Sequence, residues 1–477
     1  MKISSAPLRS QVPAPKANSA RTPVSAGDTF ELSQQPPVPQ QPAPQPPAQQ
    51  PPVEQPPVQQ PPVQQQPPVE QPPVQQPPVQ PQPPVQPQPP AQPQLKEWTI
   101  LIYSVSDNNL YRYMQADLDE AERVGTTAEM NVVAETSHQP VKGSVVRYEL
   151  VTDDQPGVKS PVVEDLGKSH DMAKASNMAK SIAWAMEKYP SKHFFLIASD
   201  HGSGWQGAHH SESTNSWMNA RDLESALKEA KEMTGRKIDV LGFDQCLMAS
   251  TEIAHQLKDY ADILVASEEV EGGAGWQYDT VLGENKSNPN SRILSTKVLN
   301  YASAALRARD PLTPTDMAKA VVKMAEGNQR DLGTMSAIDL KKMPELSAAI
   351  DNFAGKVLES NLGPNDFRPV AAATQKFYDF ADMGHFVSLA GKRFGGAIGE
   401  AADQVKAALT DAVIAEQHSS KYPNATGLNI EIDRQRGESR PVPNLPAEDQ
   451  NRLTMDPYRV TKWAQETRWD EMLNKVR

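Results

Sequence analysis

Two short apolar runs, each cut off by polar residues, constrain this chain more than any other feature of it. His193-Phe194-Phe195-Leu196-Ile197-Ala198-Ser199 stops at Asp200-His201-Gly202-Ser203-Gly204-Trp205, and the run from Lys237 through Val240, Leu241 and Phe243 stops at Asp244-Gln245-Cys246. Runs of this length and composition read as strands buried in a sheet. If the two are parallel neighbours, an imidazole and a thiol emerge side by side at the carboxyl edge, where open α/β sheets bind ligands.

The surrounding pattern supports such a sheet. Thr99 to Val105 is a strand ended by the turn cluster Ser106-Asp107-Asn108-Asn109, and Met114, Leu118, Ala121 and Val124 then fall at helical spacing up to Gly125. Met130 to Ala134 predicts a second strand, and Ser144 to Val151 a half-exposed third. A helix carrying Met178, Ile182, Met186 and Tyr189 leads into the histidine strand. Beyond Cys246, a helix with Ala249, Ile253, Leu257 and Tyr260 precedes the strand Ile263 to Ala266. Strand and helix alternate, so the fold class is α/β with a mainly parallel sheet. From about Ile293 to Glu416 the pattern is mainly helical, with strand character again at Ala425 to Ile432. The organisation expected is a core over 96–300 and a mainly helical C-terminal subdomain over 301–477 packed on it.

Residues 1–95 stand apart. More than half of the 45 prolines lie between Pro36 and Pro93, in units such as Pro51-Pro52-Val53-Glu54 and Pro72-Pro73-Val74-Gln75. With no apolar periodicity, the stretch 36–94 reads as polyproline II, a disordered spacer or arm rather than a fold, open to partners with aromatic grooves. A single cysteine excludes an intrachain disulfide. The N-terminus has no secretory apolar stretch and no run is long enough to span a bilayer, which makes the cytoplasm the default expectation. The net charge of −12 argues against a general nucleic-acid binder and is compatible with cationic substrates.

A lone cysteine is usually a small buried hydrophobe. Cys246, however, follows a polar break at a strand end and precedes a helix, where unpaired N–H groups and the macrodipole lower a thiol's pKa. His201 is the matching base, and the glycines around it let backbone N–H groups reach a developing oxyanion. The N–H groups of Gly202 and Cys246 are the candidate pair. The rival is a metal site from His201, His209, His210 and Glu212, but no spacing among them reproduces a zinc motif. Asn424-Ala425-Thr426 matches a glycosylation acceptor and, without a signal peptide, reads as coincidence.

Asp200-His201-Gly202-Ser203-Gly204-Trp205 together with Asp244-Gln245-Cys246-Leu247-Met248 closely resembles the two signature blocks of the clostripain-like cysteine peptidases, relatives of caspases, gingipains and legumain. Trp98 to Leu110, Ala266 to Glu269, Gly275 to Tyr278, Met335 to Leu340 and Thr426 to Ile430 are similar to further blocks of that family. The resemblance implies a caspase-like α/β/α sandwich, a His201–Cys246 dyad and cleavage after arginine or lysine, with Asp244 at the position associated with that choice. A carboxylate on a pocket floor would pair with a cation, although Asp244 can instead be read as a cap of the following helix. Glu268, Glu269 and Glu271 are further candidates for a pocket acid. The family also implies possible self-cleavage between histidine and cysteine, for which Arg221, Lys228, Lys231, Arg236 and Lys237 are available, and a possible calcium dependence that no acidic loop here supports. No other cofactor is expected. The alternative function is an inactive peptidase-like scaffold acting through the proline-rich arm.

Overall fold

A computed structural model describes residues 95–138, 143–278, 312–432 and 457–476. The proline-rich arm, apart from Leu95, lies outside the described residues, as does the expected boundary at 300/301.

Five strands run parallel: β1 (Lys96–Ser104), β2 (Met130–Ser137), β5 (Ser191–Ser199), β8 (Ile238–Asp244) and β9 (Ala261–Ala266). β3 (Val145–Glu149) and β4 (Val162–Gly167) extend one edge antiparallel, and β10 (Thr334–Asp339) and β13 (Val413–His418) the other. The sheet order is β13-β10-β9-β8-β5-β1-β2-β3-β4. A hairpin, β6 (Ala208–Ser211) with β7 (Ser216–Met218), and a small sheet of β11 (Lys376–Phe377), β12 (Phe380–Asp382) and β14 (Asn429–Ile430) complete the β structure among the described residues.

The apolar runs lack alternation because both faces of the sheet are covered. On one face, Ile100, Ile102, Phe195, Ile197, Val240 and Val265 pack beneath α1 (Tyr111–Glu122) and α5 (Pro314–Gly327). On the other, Leu101, Tyr103, Leu196, Ala198, Leu241 and Phe243 meet α2 (Ala175–Lys188), α3 (Ala220–Thr234) and α4 (Thr251–Leu257). The second layer continues through α6 (Met343–Glu359), α7 (Pro364–Ala373), α8 (Met383–Phe394), α9 (Gly396–Ala412), α10 (Lys462–Glu466) and α11 (Trp469–Val476). Each fully buried side chain of this size contributes about 1.5–3 kcal/mol. Local signals agree with the packing: α3 starts with a capping box of Asn219 and Asp222 and ends at left-handed Gly235, and α5 starts with Thr313 and Asp316.

Two expectations change. β3 is buried rather than half-exposed, because Arg147 bonds Glu135 and Glu164 at 2.8 Å each and lies 4.5 Å from the Trp184 ring. The chain after 301 is mainly helical, yet it also supplies β10 and β13 to the same sheet. It therefore shares the core of the first half instead of forming a separate layer packed onto it.

Gly242, in the middle of β8, makes room for the Trp276 ring. A Cβ added there would lie 2.7 Å from the Trp276 ring and 2.9 Å from Phe195. Gly242→Ala should therefore lower stability by about 1–3 kcal/mol, read from urea unfolding, and shift the Trp276 environment in near-UV circular dichroism.

Candidate active site

The site follows from strand register. β5 and β8 pair in parallel with Ser199 opposite Asp244, so Asp200-His201 and Gln245-Cys246 leave the sheet next to each other. They do so beside the point where β1 and β5 separate the two halves of the strand order, the crevice where α/β sheets hold ligands. A Cβ on Gly202 would meet the Cys246 carbonyl oxygen at 2.4 Å and Gln245 Cβ at 2.9 Å. The histidine loop and the cysteine loop are thus in backbone contact, and only glycine permits it. Gly202 also bridges Ala208, but the bridge bonds run from Ser203 N–H to Gly207 and from His209 N–H to His201, leaving the Gly202 N–H outside the ladder.

His201 is oriented from the loop that follows β1. Its Nε2 lies 2.7 Å from Asn109 Oδ1. An amide oxygen only accepts, so Nε2 carries the hydrogen and Nδ1 is left with the free lone pair. Buried Asp200 takes N–H bonds from His201, at 2.6 Å, and from His210, and Asn108 Nδ2 donates to its Oδ1 at 2.7 Å. Burial, and then His210, push the His201 pKa below its ordinary value, which favours the neutral imidazole. Sequence reasoning read Asn108 and Asn109 as turn formers only; the pairing of β1 with β5, which brings them to the histidine, is not written in local pattern.

Cys246 is partly exposed. It does not sit at a helix N-terminus: a bend at Gln245 and a turn at Cys246 and Leu247 are followed by irregular chain at Met248 and Ala249, and α4 begins at Thr251 after Ser250. The expected lowering of the thiol pKa is therefore reversed. Burial pushes it up, the Glu271 amide opposes this, and the Asp244 charge adds to the rise. The Glu271 N–H donates to Sγ at 3.4 Å, and Sγ donates to the Glu271 carbonyl at 3.8 Å. The loop is pinned by Leu247 N–H to Glu269 O at 3.1 Å, Ala249 N–H to Ser267 O at 2.9 Å, and Asn429, which donates to the carbonyls of Leu247 and Glu268. Leu247 takes a left-handed φ of 66°, a strain of roughly 1–3 kcal/mol held by these bonds.

Asp244 is 6% exposed. It accepts from Trp276 N–H at 3.0 Å and from Tyr278 OH at 2.7 Å, and Gly275 is pressed against it. It does not cap α4, whose N-cap is Ser250. Burial pushes its pKa up to about 6, against the bonds from Tyr278, Glu271 and Trp276. Of the three glutamates, Glu268 faces buried Asp382, Glu269 presents its carbonyl to the cysteine loop, and Glu271 faces Asp244.

Among the described residues no group of three metal-binding side chains occurs, and the histidines that follow His201 are otherwise engaged. His209 is fully buried with its pKa pushed down to about 3, its Nδ1 accepting from Gln245 Nε2 at 3.2 Å, and His210 stacks on Trp217 at 4.2 Å. The basic residues between histidine and cysteine lie in α3 or in the short connection from it to β8. Arg221, Lys228 and Lys231 lie in α3, Arg236 donates to the carbonyls of Ser191 and Lys192, and Lys237 pairs with Asp262 at 3.1 Å.

This geometry can be set against known proteins. Residues 102–475 match the model of the clostripain family, peptidase C11. Clostripain of Hathewaya histolytica is 26% identical over 215 residues, which cover 39% of this chain and 38% of that protein, so the chain matches well under half the length of this curated relative. A secreted C11 cysteine protease from Bacteroides thetaiotaomicron, in complex with an irreversible peptide inhibitor, is similar with a TM-score of 0.54 at 18% identity, covering 79% of this chain and 99% of that one. An inactive zymogen C11 protease from Parabacteroides distasonis gives 0.52 at 20%, again covering 79% and 99%. The two solved structures share the fold just described. The family match runs from β1 to α11, across both loops that meet at Gly202, and on that basis the chain belongs to the clostripain family.

Proposed function

We propose that this protein is a cysteine endopeptidase that hydrolyses peptide bonds after arginine or lysine, with Cys246 as nucleophile and His201 as base. The observation that carries the reading is the close approach of Gly202 to the Cys246 carbonyl, which holds imidazole and thiol at one rim of the sheet. Family membership supports the same chemistry.

In this mechanism His201 Nδ1 takes the Sγ proton as sulfur bonds to the scissile carbonyl carbon. Charge then builds on the carbonyl oxygen, and the N–H groups of Gly202 and Cys246 are the proposed donors to it; one such donor supplies about 2.7–4 kcal/mol. The imidazolium gives its proton to the leaving amine. Water, activated by the same nitrogen, then hydrolyses the thioester. A thiol raised by burial next to a histidine lowered by burial means that both start neutral. Proton transfer therefore accompanies attack, in contrast to enzymes that hold a resting thiolate–imidazolium pair. Asp244, behind the nucleophile, is the proposed partner of the basic side chain.

Cys246→Ala should remove turnover of arginyl and lysyl peptides by at least about 10⁴-fold in a fluorogenic assay, and undiminished cleavage would refute the nucleophile. Asp244→Asn keeps the shape of the buried group and loses its charge. It should lower kcat/KM for arginyl peptides on the order of 100-fold while changing that for neutral peptides little; equal losses on both would make Asp244 structural. Because Cys246 is the chain's one thiol, iodoacetamide reports on it directly. The alkylation rate should rise about tenfold per pH unit from 7 to beyond 9, and a plateau reached near pH 7 would contradict the neutral resting thiol.

A further inference from the structure

The hairpin of β11 and β12 leans on both loops of the site. A Cβ on Gly204, in the histidine loop, would meet Phe380 Cζ at 2.9 Å and the Leu247 carbonyl oxygen at 3.4 Å. Phe377 and Phe380 join Leu247 and Tyr422 in a small apolar cluster, distinct from the two large core layers, and Trp205 and Cys246 pack against it. Both phenylalanines are fully buried, and the Phe377 ring lies 5.5 Å from that of Tyr422. Phe377 and Phe380 also face each other across the hairpin, so its turn is the two residues Tyr378 and Asp379, anchored at both ends.

The residue that opens this turn is the wrong type for it. Tyr378 has a left-handed φ of 50°, a conformation that costs an L side chain energy and that two-residue hairpin turns usually give to glycine or asparagine. It is also 72% exposed, more than any other large hydrophobic residue described. Three other non-glycine residues are left-handed: Asn215, whose type tolerates it, and His209 and Leu247, which are buried in their surroundings. Packing therefore accounts for those two and not for Tyr378. Strained backbone that carries an exposed aromatic beside a reactive group marks a ligand contact.

We propose that Tyr378 is a specificity-determining residue, whose ring receives an apolar side chain of the peptide close to the scissile bond. The inference rests on the peptidase reading above and adds a second recognised substrate position to it. A peptide under attack lies over Cys246, and Cys246 is itself on the rim of the cluster that the hairpin completes. The turn spans less than about 7 Å, so Tyr378 stands within about four residues of an extended chain held at the thiol, at roughly 3.3 Å per residue. Burial against the ring favours an apolar side chain, while a small polar one gains little there. This selection is separate from that of Asp244. Trp276 and Tyr278, which cover Asp244, pack into the layer on one face of the sheet, whereas the hairpin continues through Ala381 and Met383 into the layer on the other.

The test uses the full-length protein and internally quenched peptides with one arginine, in which leucine or serine stands in turn at each of the four positions on either side. Glycine is at home at a φ of 50°, so Tyr378→Gly keeps the turn and should unfold in urea at the wild-type midpoint or above it. The wild type should favour leucine over serine by about tenfold or more in kcat/KM at one position. Tyr378→Gly should cut that preference to less than about twofold, through KM for the leucine peptide, and Tyr378→Phe should retain it. A role in folding alone would not lose selectivity while stability holds or rises. Leucine preferred equally by wild type and Tyr378→Gly, or preferred at no position by the wild type, overturns the inference and leaves the peptidase reading intact. Failure of the wild type to cleave any of the peptides sinks that reading and the inference with it.

Discussion

The absence of a side chain at residue 202 allows the two halves of the site to meet. Gly202 lies so close to Cys246 that any Cβ would overlap the cysteine's carbonyl oxygen, and both loops are fed from strands locked in register, Ser199 against Asp244. The sheet beneath cannot slip, since a shift by one residue would turn every buried side chain of β5 and β8 to the opposite helix layer. A small, rigid contact at the rim is therefore secured by a large apolar core below it. The same contact limits change: a larger residue at 202 meets the Cys246 carbonyl oxygen, Gln245 Cβ and Met248 Cγ and must push the two loops apart.

The segment from Ser267 to Tyr278 is the second determinant. It bonds the cysteine loop through Ser267, Glu269 and Glu271, covers Asp244 through Gly275, Trp276 and Tyr278, and is seated on β8 because Gly242 leaves room for the Trp276 ring. In the structure the stretch is pinned, with Gly272 donating to Asp331 at 2.7 Å and Gly275 to Gly272 at 2.9 Å. One short stretch of chain thereby contacts both the Cys246 sulfur and the Asp244 carboxyl.

What the sequence made legible was what depends on local pattern: the buried strands, the helices between them, and the polar residues that end β5 and β8. The juxtaposition of His201 and Cys246 followed from two strands of like composition. The Asn109 contact did not, because it depends on which strand neighbours β5, and β1 is separated from it by three intervening strands. The thiol's pKa direction was misjudged for a related reason: a helix pattern after Cys246 is visible, but the non-helical stretch before Thr251 that takes the sulfur away from the helix end is not. β10 and β13 were missed as sheet members because they are flanked by long helices, so composition averaged over that region reads as helical.

Burial sets the electrostatics of the site in one consistent direction. The thiol and the Asp244 and Glu271 carboxyls are raised and the imidazole is lowered, so each group tends toward its neutral form in the empty protein. With the basic-residue preference proposed above, substrate binding reverses part of this. The Asp244 charge is one of the causes that raise the Cys246 pKa, and a guanidinium or ammonium held by that carboxylate cancels its effect on the sulfur. In this reading, the side chain that identifies a substrate also eases deprotonation of the nucleophile that attacks it. A neutral side chain of equal size would fill the same space and leave the thiol as it was, so discrimination falls on the chemical step as well as on binding.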